Sequence, residues 1–278
     1  VNERPLEVWP DALERACADT THFRQVRVLR ETASTQDAAD EGGLPVGSLV
    51  TAGRQSAGRG RLGHAWADTA DDGIAVTFVV QRQDPERLAM AAAVAVAQAA
   101  RDSVPVSEAA RLGLKWPNDL LCAWPGGAPR KVAGVLVEAR EARALIGIGV
   151  NVRQRAFAGE LADRAASLHM IGGVQDRLHA LLALVQRLDV ALSATSASLE
   201  ADYGALDRTA GLRMRFNTPQ GLVEGVVLHC DPSRGLRVRT DAGEQWLAAA
   251  TTRVQPDPPA SRSTLQPPCV DSPASPRS

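Results

Sequence analysis

Between residues 112 and 150 the chain carries four short apolar runs, at 112–116, 120–124, 132–138 and 144–150. Their connections are too short for the dozen or more residues that a parallel crossover needs, so neighbouring runs must pair antiparallel, as a meander. The widest gap holds Pro125-Gly126-Gly127-Ala128-Pro129, a turn-rich loop. Ahead of the meander, Pro85 opens an Ala-rich amphipathic helix that runs to about Arg101. Further strands are expected at 26–29, 48–52 and 74–80, with a helix over 8–18. Ser34 and Asp37 fit a capping box, opening a short helix that Gly42, Gly43 and Pro45 end. Leu178, Leu181, Leu182, Val185, Leu188 and Leu192 predict one long helix over 174–199. Short strands follow at 212–216, 222–229, 236–240 and 245–249, with a hairpin at Asp241-Ala242-Gly243. The class is therefore α+β, with a small all-β module at 210–255 and a Pro/Ser/Arg tail at 256–278 expected to be disordered.

Charge and composition narrow the function. Basic and acidic residues number 31 and 32, a net charge of −1, so nothing global draws the chain to nucleic acid or to an anionic membrane surface. A local basic patch stays open. The most apolar stretch, around 88–100, is Ala-rich and flanked by charges, so no segment reads as membrane-spanning. Cys17, Cys122, Cys230 and Cys269 lack C-x-x-C spacing, against both a zinc site and a disulfide framework. The N-terminus has acids and Pro where a signal peptide has a charged-then-apolar leader, so a reduced cytoplasmic protein is expected. Only two of the 31 basic residues are lysines, Lys115 and Lys131, and Asn occurs only at positions 2, 118, 151 and 217. A lysine kept in so Arg-biased a chain points to a place where a compact, rotatable charge does what a wide planar fork cannot.

Gly58-Arg59-Gly60-Arg61-Leu62-Gly63 has the form G-x-G-x-x-G after a strand. A dinucleotide site would need a helix to open at its third glycine, and here the loop runs on into another strand. No H-R-D or D-F-G follows, and no G-x-x-x-x-G-K-[ST] occurs anywhere, which excludes the kinase and P-loop readings. What remains is a loop whose amides, Arg59 and Arg61 can wrap an anion, or a solvated surface loop with incidental arginines. Arg61 is expected to face solvent, and the stretch 55–67 to order only over a ligand. Lys115-Trp116-Pro117-Asn118-Asp119 gathers a lysine, an indole, an amide and a carboxylate at one strand junction, although Trp116 alone reads as core. Gly134, Gly147 and Gly149 lie within strands, where glycine marks either a bulge or a surface that something approaches closely.

Five motifs in order, S-T-Q (34–36), Q-x-x-G-R-G-R-x-G (55–63), K-W-P-N-D (115–119), K-x-A-G-V-L-x-E (131–138) and G-x-G-x-N (147–151), resemble those of biotin protein ligases. The resemblance covers about 26–256. It implies a mixed, largely antiparallel sheet flanked by helices, with a catalytic domain at 26–205, an N-terminal helical extension at 1–25 and an SH3-like C-terminal β-barrel at 210–255. It implies biotin and ATP as substrates with Mg²⁺, biotinyl-5′-AMP as intermediate, and a carboxyl carrier domain of a carboxylase as acceptor. By the same resemblance Ser34, Thr35, Gln36, Gln55, Arg59, Gly60, Arg61 and Lys131 bind biotin, and Lys115, Asn118, Asp119 and Asn151 bind the nucleotide. Lys131, Arg59 and Arg61 would act in catalysis, with Asp119 orienting the acceptor amine or accepting its proton; the metal-holding residues are not identified. The family commonly has Asn at Gln36, a second Arg at Leu62 and a basic residue at His64, and a shorter gap from Asp119 to Lys131. The winged helix that makes some members repressors has no counterpart in the first twenty-five residues, so no nucleic-acid partner is expected, and the chain is expected to be a monomer or homodimer. A lipoate or octanoyl ligase or transferase of the same superfamily, and a regulator that binds nucleic acid through the arginine loop, are the alternatives.

The chemistry asks for these residue types independently of any family. A carboxylate attacking an α-phosphate brings an anion to a polyanion and needs fixed positive charge where charge develops. The mixed anhydride formed is easily hydrolysed, so a Gly-rich loop that covers it serves the reaction.

Overall fold

Alternation along the strands builds a main sheet with two unlike faces. The computed structural model describes residues 3–67, 70–231 and 233–255. In chain order its first elements are α1 (Trp9–Ala18), β1 (Gln25–Thr32), α2 (Thr35–Glu41) and β2 (Ser48–Gln55). The two-residue strands β3 (Gly58–Arg59) and β4 (Ala65–Trp66) precede β5 (Gly73–Gln81), α3 (Pro85–Asp102) and the single turn α4 (Val106–Ala109). The meander is β6 (Leu112–Lys115), β7 (Asp119–Cys122), β8 (Arg130–Ala139) and β9 (Arg143–Asn151). Two helices follow, α5 (Arg177–Ser193) and α6 (Ser196–Leu206). The last strands are β10 (Arg213–Thr218), β11 (Gly221–Asp231), β12 (Gly235–Thr240), β13 (Gly243–Leu247) and β14 (Arg253–Val254).

The main sheet runs β1-β2-β5-β9-β8-β7-β6. Only β1 and β2 pair in parallel, joined through α2; every other neighbouring pair is antiparallel, and the expected meander is present. One face carries Ile74, Val76, Phe78 and Val80 of β5 with Ile146, Ile148 and Val150 of β9, all packed in the core with α3. Alanines along α3 let its backbone come close to that face, and Asp84 caps it by accepting from the Glu86 and Arg87 amides. Trp9, Leu13 and Cys17 of α1 are buried in the same core, so the N-terminal helix packs as part of it. Burying a side chain such as Leu13 contributes about 1.5–3 kcal/mol.

The run expected as one helix over 174–199 is two. Ala194 turns extended (φ −66°, ψ 149°), and Thr195 restarts the chain as an N-cap whose side chain accepts from the Ser198 amide at 3.2 Å. The leucine periodicity carries no trace of this break, because capping depends on Thr and Ser side chains rather than on apolar spacing. The C-terminal strands form an antiparallel sheet in the order β13-β12-β11-β10-β14. The expected C-terminal β-module is thus present as a five-stranded sheet, whose edges β13 and β14 do not pair with each other among the described residues. Phe216 of β10 meets Trp116 edge-on, ring centroids 6.2 Å apart, inside one hydrophobic cluster shared with the main sheet. The disordered tail expected at 256–278 lies outside the described residues.

Candidate active site

On the face of the main sheet away from α3, strands β8 and β9 are paved with glycine. Gly134 lies opposite Gly149, and Gly147 opposite Leu136, in register positions that alternate with the core-facing Ile146, Ile148 and Val150. At one border of this floor stands the start of α2. Ser34 caps the helix by accepting from the Asp37 amide at 3.3 Å, and Ser34, Thr35 and Gln36 are all buried. The Thr35 amide donates to Gln55 Oε1 at 2.8 Å, and the Thr77 hydroxyl donates to Thr35 Oγ1 at 2.9 Å. Gln36 lies across Gly147, so close that a Cβ there would sit 2.7 Å from its Cδ, and its amide donates to Leu136 O at 3.4 Å. The S-T-Q motif and Gln55 thus meet at one edge of the floor.

The arginine loop is a small hairpin over this floor. Gly58 pairs with Trp66 and Arg59 with Ala65, and the Gly60 amide donates to His64 O at 2.6 Å. Leu62 takes the left-handed conformation (φ 55°, ψ 36°), a strained choice for a residue with a Cβ and one that recurs where a loop is held for function. The indole of Trp66 rests on the glycines: a Cβ on Gly149 would lie 2.5 Å from Trp66 Cε2, and one on Gly134 3.2 Å from its Cζ3. Arg59 reaches Asp37 Oδ1 at 2.8 Å and Glu138 Oε2 at 3.1 Å. Arg61 departs from expectation. It does not face solvent but is half-buried against the segment after β13, donating to the carbonyls of Ala249 and Thr252. Burial lowers its pKa while the nearby Asp119 and Glu86 carboxylates act in the opposite direction, and a guanidinium stays cationic throughout the working range. Arg253 closes the contact by donating to Leu62 O at 2.7 Å.

At the other end of the floor the K-W-P-N-D turn links β6 to β7, with Lys115 opposite Asp119 in register. Lys131 Nζ lies 2.6 Å from Asp119 Oδ1 and 5.5 Å from the Trp66 ring centroid, so one ammonium touches a carboxylate and an aromatic face together. Asn118 and Asn151 spend their amide nitrogens on backbone, Asn118 on Val135 O and Asn151 on Lys131 O and Ala166 O. They fix the strands that carry Lys131. Lys115 is half-buried on the same turn. The sequence reading passed over Trp66, Asp37, Glu138 and Glu86 as site residues. Trp66 had a legible signal, a bulky aromatic in a glycine-rich loop, and Glu138 closes one of the motifs and Asp37 a capping box; Glu86 lies in no motif, and its partner is far away in sequence.

The site is a narrow floor of glycine backbone under an indole, bordered by buried amide and hydroxyl groups and ringed by Lys131, Arg59 and Arg61. Buried amide and hydroxyl groups at one border and cations at the other are the groups that hydrogen-bond a neutral polar head and pair with an anion. Among the described residues no three His, Cys, Asp or Glu side chains converge to hold a metal ion.

Comparison with known proteins agrees. Residues 27–154 match the Biotin/lipoate A/B protein ligase family. The chain is 30% identical over 239 residues to the bifunctional ligase/repressor BirA of Bacillus subtilis (strain 168), spanning 80% of this chain and 71% of that one. It is 34% identical over 212 residues to the biotin–[acetyl-CoA-carboxylase] ligase of Mycobacterium tuberculosis, spanning 72% and 77%. The structure superposes on that of the biotin protein ligase from Aquifex aeolicus in complex with biotin and ATP with a TM-score of 0.73 and 25% identity, over 84% of this chain and 99% of that one.

Proposed function

Because the chain belongs to the biotin/lipoate A/B protein ligase family, we propose that the site described above joins biotin to ATP and then passes the biotinyl group to a carrier protein. The enzyme is an ATP-dependent biotin protein ligase: it activates biotin as biotinyl-5′-AMP and transfers the acyl group to a lysine of a biotin carboxyl carrier domain. In the first step a biotin carboxylate oxygen attacks the α-phosphorus and pyrophosphate leaves with the bonding pair. In the second, the free amine of the acceptor lysine attacks the acyl carbon, AMP leaves, and the amine gives up a proton.

The observation that carries the assignment of roles is the Lys131–Asp119 pair, 2.6 Å apart at the end of the glycine floor and beneath Trp66. Lys131 there meets the biotin carboxylate and the α-phosphate. Asp119, released from Lys131 as the anion takes its place, orients the incoming acceptor amine or accepts its proton. Ser34, Thr35, Gln36 and Gln55 receive the polar end of biotin, and Gly60 lets the loop backbone lie along its tail. Arg59 and Arg61 hold the loop over the phosphates, and Lys115, Asn118 and Asn151 shape the nucleotide side. Mg²⁺ would be held mainly by the nucleotide's phosphates with one or two carboxylates, and would add positive charge beside the α-phosphate.

In this reading 26–205 is the catalytic domain, with the helix-bearing residues 1–25 before it and the β-module 210–255 after it. The near-balanced charge supports protein and small-molecule partners over nucleic acid, for a monomer or homodimer working in the cytoplasm. No helix among the described residues is long and apolar enough to cross a membrane. The test is incubation with ATP-Mg²⁺, a carrier domain and either biotin, lipoate or octanoate, followed by mass analysis of the carrier. Biotin alone is expected to label one lysine; preferential use of lipoate or octanoate would overturn the reading.

A further inference from the structure

The segment between β13 and β14 is gripped by two side chains. Arg61 of the arginine loop donates to the carbonyls of Ala249 and Thr252. Glu86, in the first turn of α3, accepts from the Ala249 amide of the same segment at 2.6 Å, with the Ala250 amide nearby. Ala249, itself buried, is therefore held by a carboxylate at its N–H and by a guanidinium at its carbonyl. Arg253, four residues on, returns to the loop at Leu62 O. Glu86 lies in none of the motifs. Burial pushes its carboxyl up and the two amides draw it back down, with Arg61 adding a smaller favourable charge across the segment. A hydrogen bond with an ionised donor or acceptor is the strong, charge-assisted kind, so both the Glu86 and the Arg61 contacts to this segment are of that kind.

We propose that Glu86 is a positioning residue for the ligation reaction: it fixes the 249–252 segment, and that segment holds Arg61, and with it the arginine loop, in place over the glycine floor. The chain of contacts runs α3 carboxylate, β-module backbone, loop guanidinium, and it makes the C-terminal module a support for the site. This rests on the reading above, in which Arg61 helps to hold the loop over the phosphates, and so over the adenylate formed there.

The experiment uses the full chain as wild type, Arg61→Ala, Glu86→Ala, Glu86→Gln and the double variant Arg61→Ala/Glu86→Ala. Escape of biotinyl-5′-AMP is read as labelling of albumin without a carrier domain, alongside each variant's melting temperature. Arg61→Ala is expected to speed escape roughly ten- to hundredfold, the value of one charge-assisted contact. Glu86→Ala should follow in the same direction by about three- to tenfold, and Glu86→Gln, which keeps an acceptor for one amide, by less. The double variant should escape no faster than Arg61→Ala alone, because both act through one contact. A leaky Arg61→Ala beside a Glu86→Ala that retains adenylate overturns the inference alone, and so do multiplicative effects in the double variant. Retention by Arg61→Ala overturns the reading of the clamp and the inference with it. Should Glu86→Ala not fold, Glu86→Gln decides: wild-type retention overturns the inference, and leakage that vanishes in an Arg61→Ala background supports it.

Discussion

Lys131 occupies a gap that only a compact cation fills. Its ammonium touches Asp119 at 2.6 Å, and a single Cβ added to Gly134 would already lie 3.0 Å from Nζ. A guanidinium is wider than that gap, so Lys131→Arg should lose at least about tenfold in biotin-dependent pyrophosphate exchange while keeping its charge; activity within about threefold of wild type, less than about 1 kcal/mol, would contradict this. Gly147 sits under Gln36 with no room for a methyl group, its Cβ position 2.7 Å from Gln36 Cδ. Gly147→Ala is therefore expected to displace Gln36 and weaken biotin binding by about tenfold, or roughly 1.4 kcal/mol, with little change in melting temperature; an unaltered Kd by calorimetry would count against Gln36 as a ligand. These positions were legible in the sequence because each lies in a short motif or is a residue rare in this chain. The resting place of Arg61 was not, since its partner Ala249 is 188 residues away and no local pattern announces such a contact.

At the level of elements, the arginine loop is tethered by pairs that are easily exchanged. Arg59 joins Asp37 and Glu138 while about two-fifths exposed, and such pairs are worth about 0–1 kcal/mol each. Phosphate oxygens compete well with those carboxylates, so the loop can be pinned in one arrangement without ligand and drawn tighter with it. Amide hydrogen exchange over 55–67 should slow on adding biotin and ATP together, and equal exchange with and without them would argue against a lid. Helix α5 is anchored differently. Asp189 accepts from the amides of Thr21 and His22 and pairs with His22 Nδ1 at 2.9 Å. Burial raises the Asp189 pKa, but those amides and the imidazole outweigh it and leave the carboxyl below its usual range. A depressed carboxyl stabilises the fold above its unfolded pKa, about 3.9, and loses that contribution as pH falls through the folded value. Asp189→Asn should cost about 1.5–3 kcal/mol at pH 7, and its gap in melting temperature from wild type should narrow at about pH 3; a gap that does not change with pH would refute the linkage. The meander and the α3 helix were readable from apolar spacing and short connections. The break at Ala194 and Thr195 was not, because the leucines keep helical phase across it.

Over the whole molecule one hydrophobic cluster runs from Trp9 of α1 through the main sheet to Phe216, Val227 and Val238 of the C-terminal sheet. With Phe216 packed edge-on against Trp116, the turn that carries Asn118 and Asp119 rests partly on the β-module. Phe216→Ala is expected to cost about 3–5 kcal/mol and to lower a single melting transition; a separate early transition, with the rest of the fold unchanged, would show that the two sheets are independent. If this chain adenylates biotin at the Lys131 end of the glycine floor, labelled pyrophosphate exchanges into ATP when biotin is present, even with no carrier protein. That exchange should require biotin, gain nothing from lipoate or octanoate, and fall at least about tenfold in Lys131→Arg; no exchange with biotin, or equal exchange in Lys131→Arg, would refute adenylation at this position.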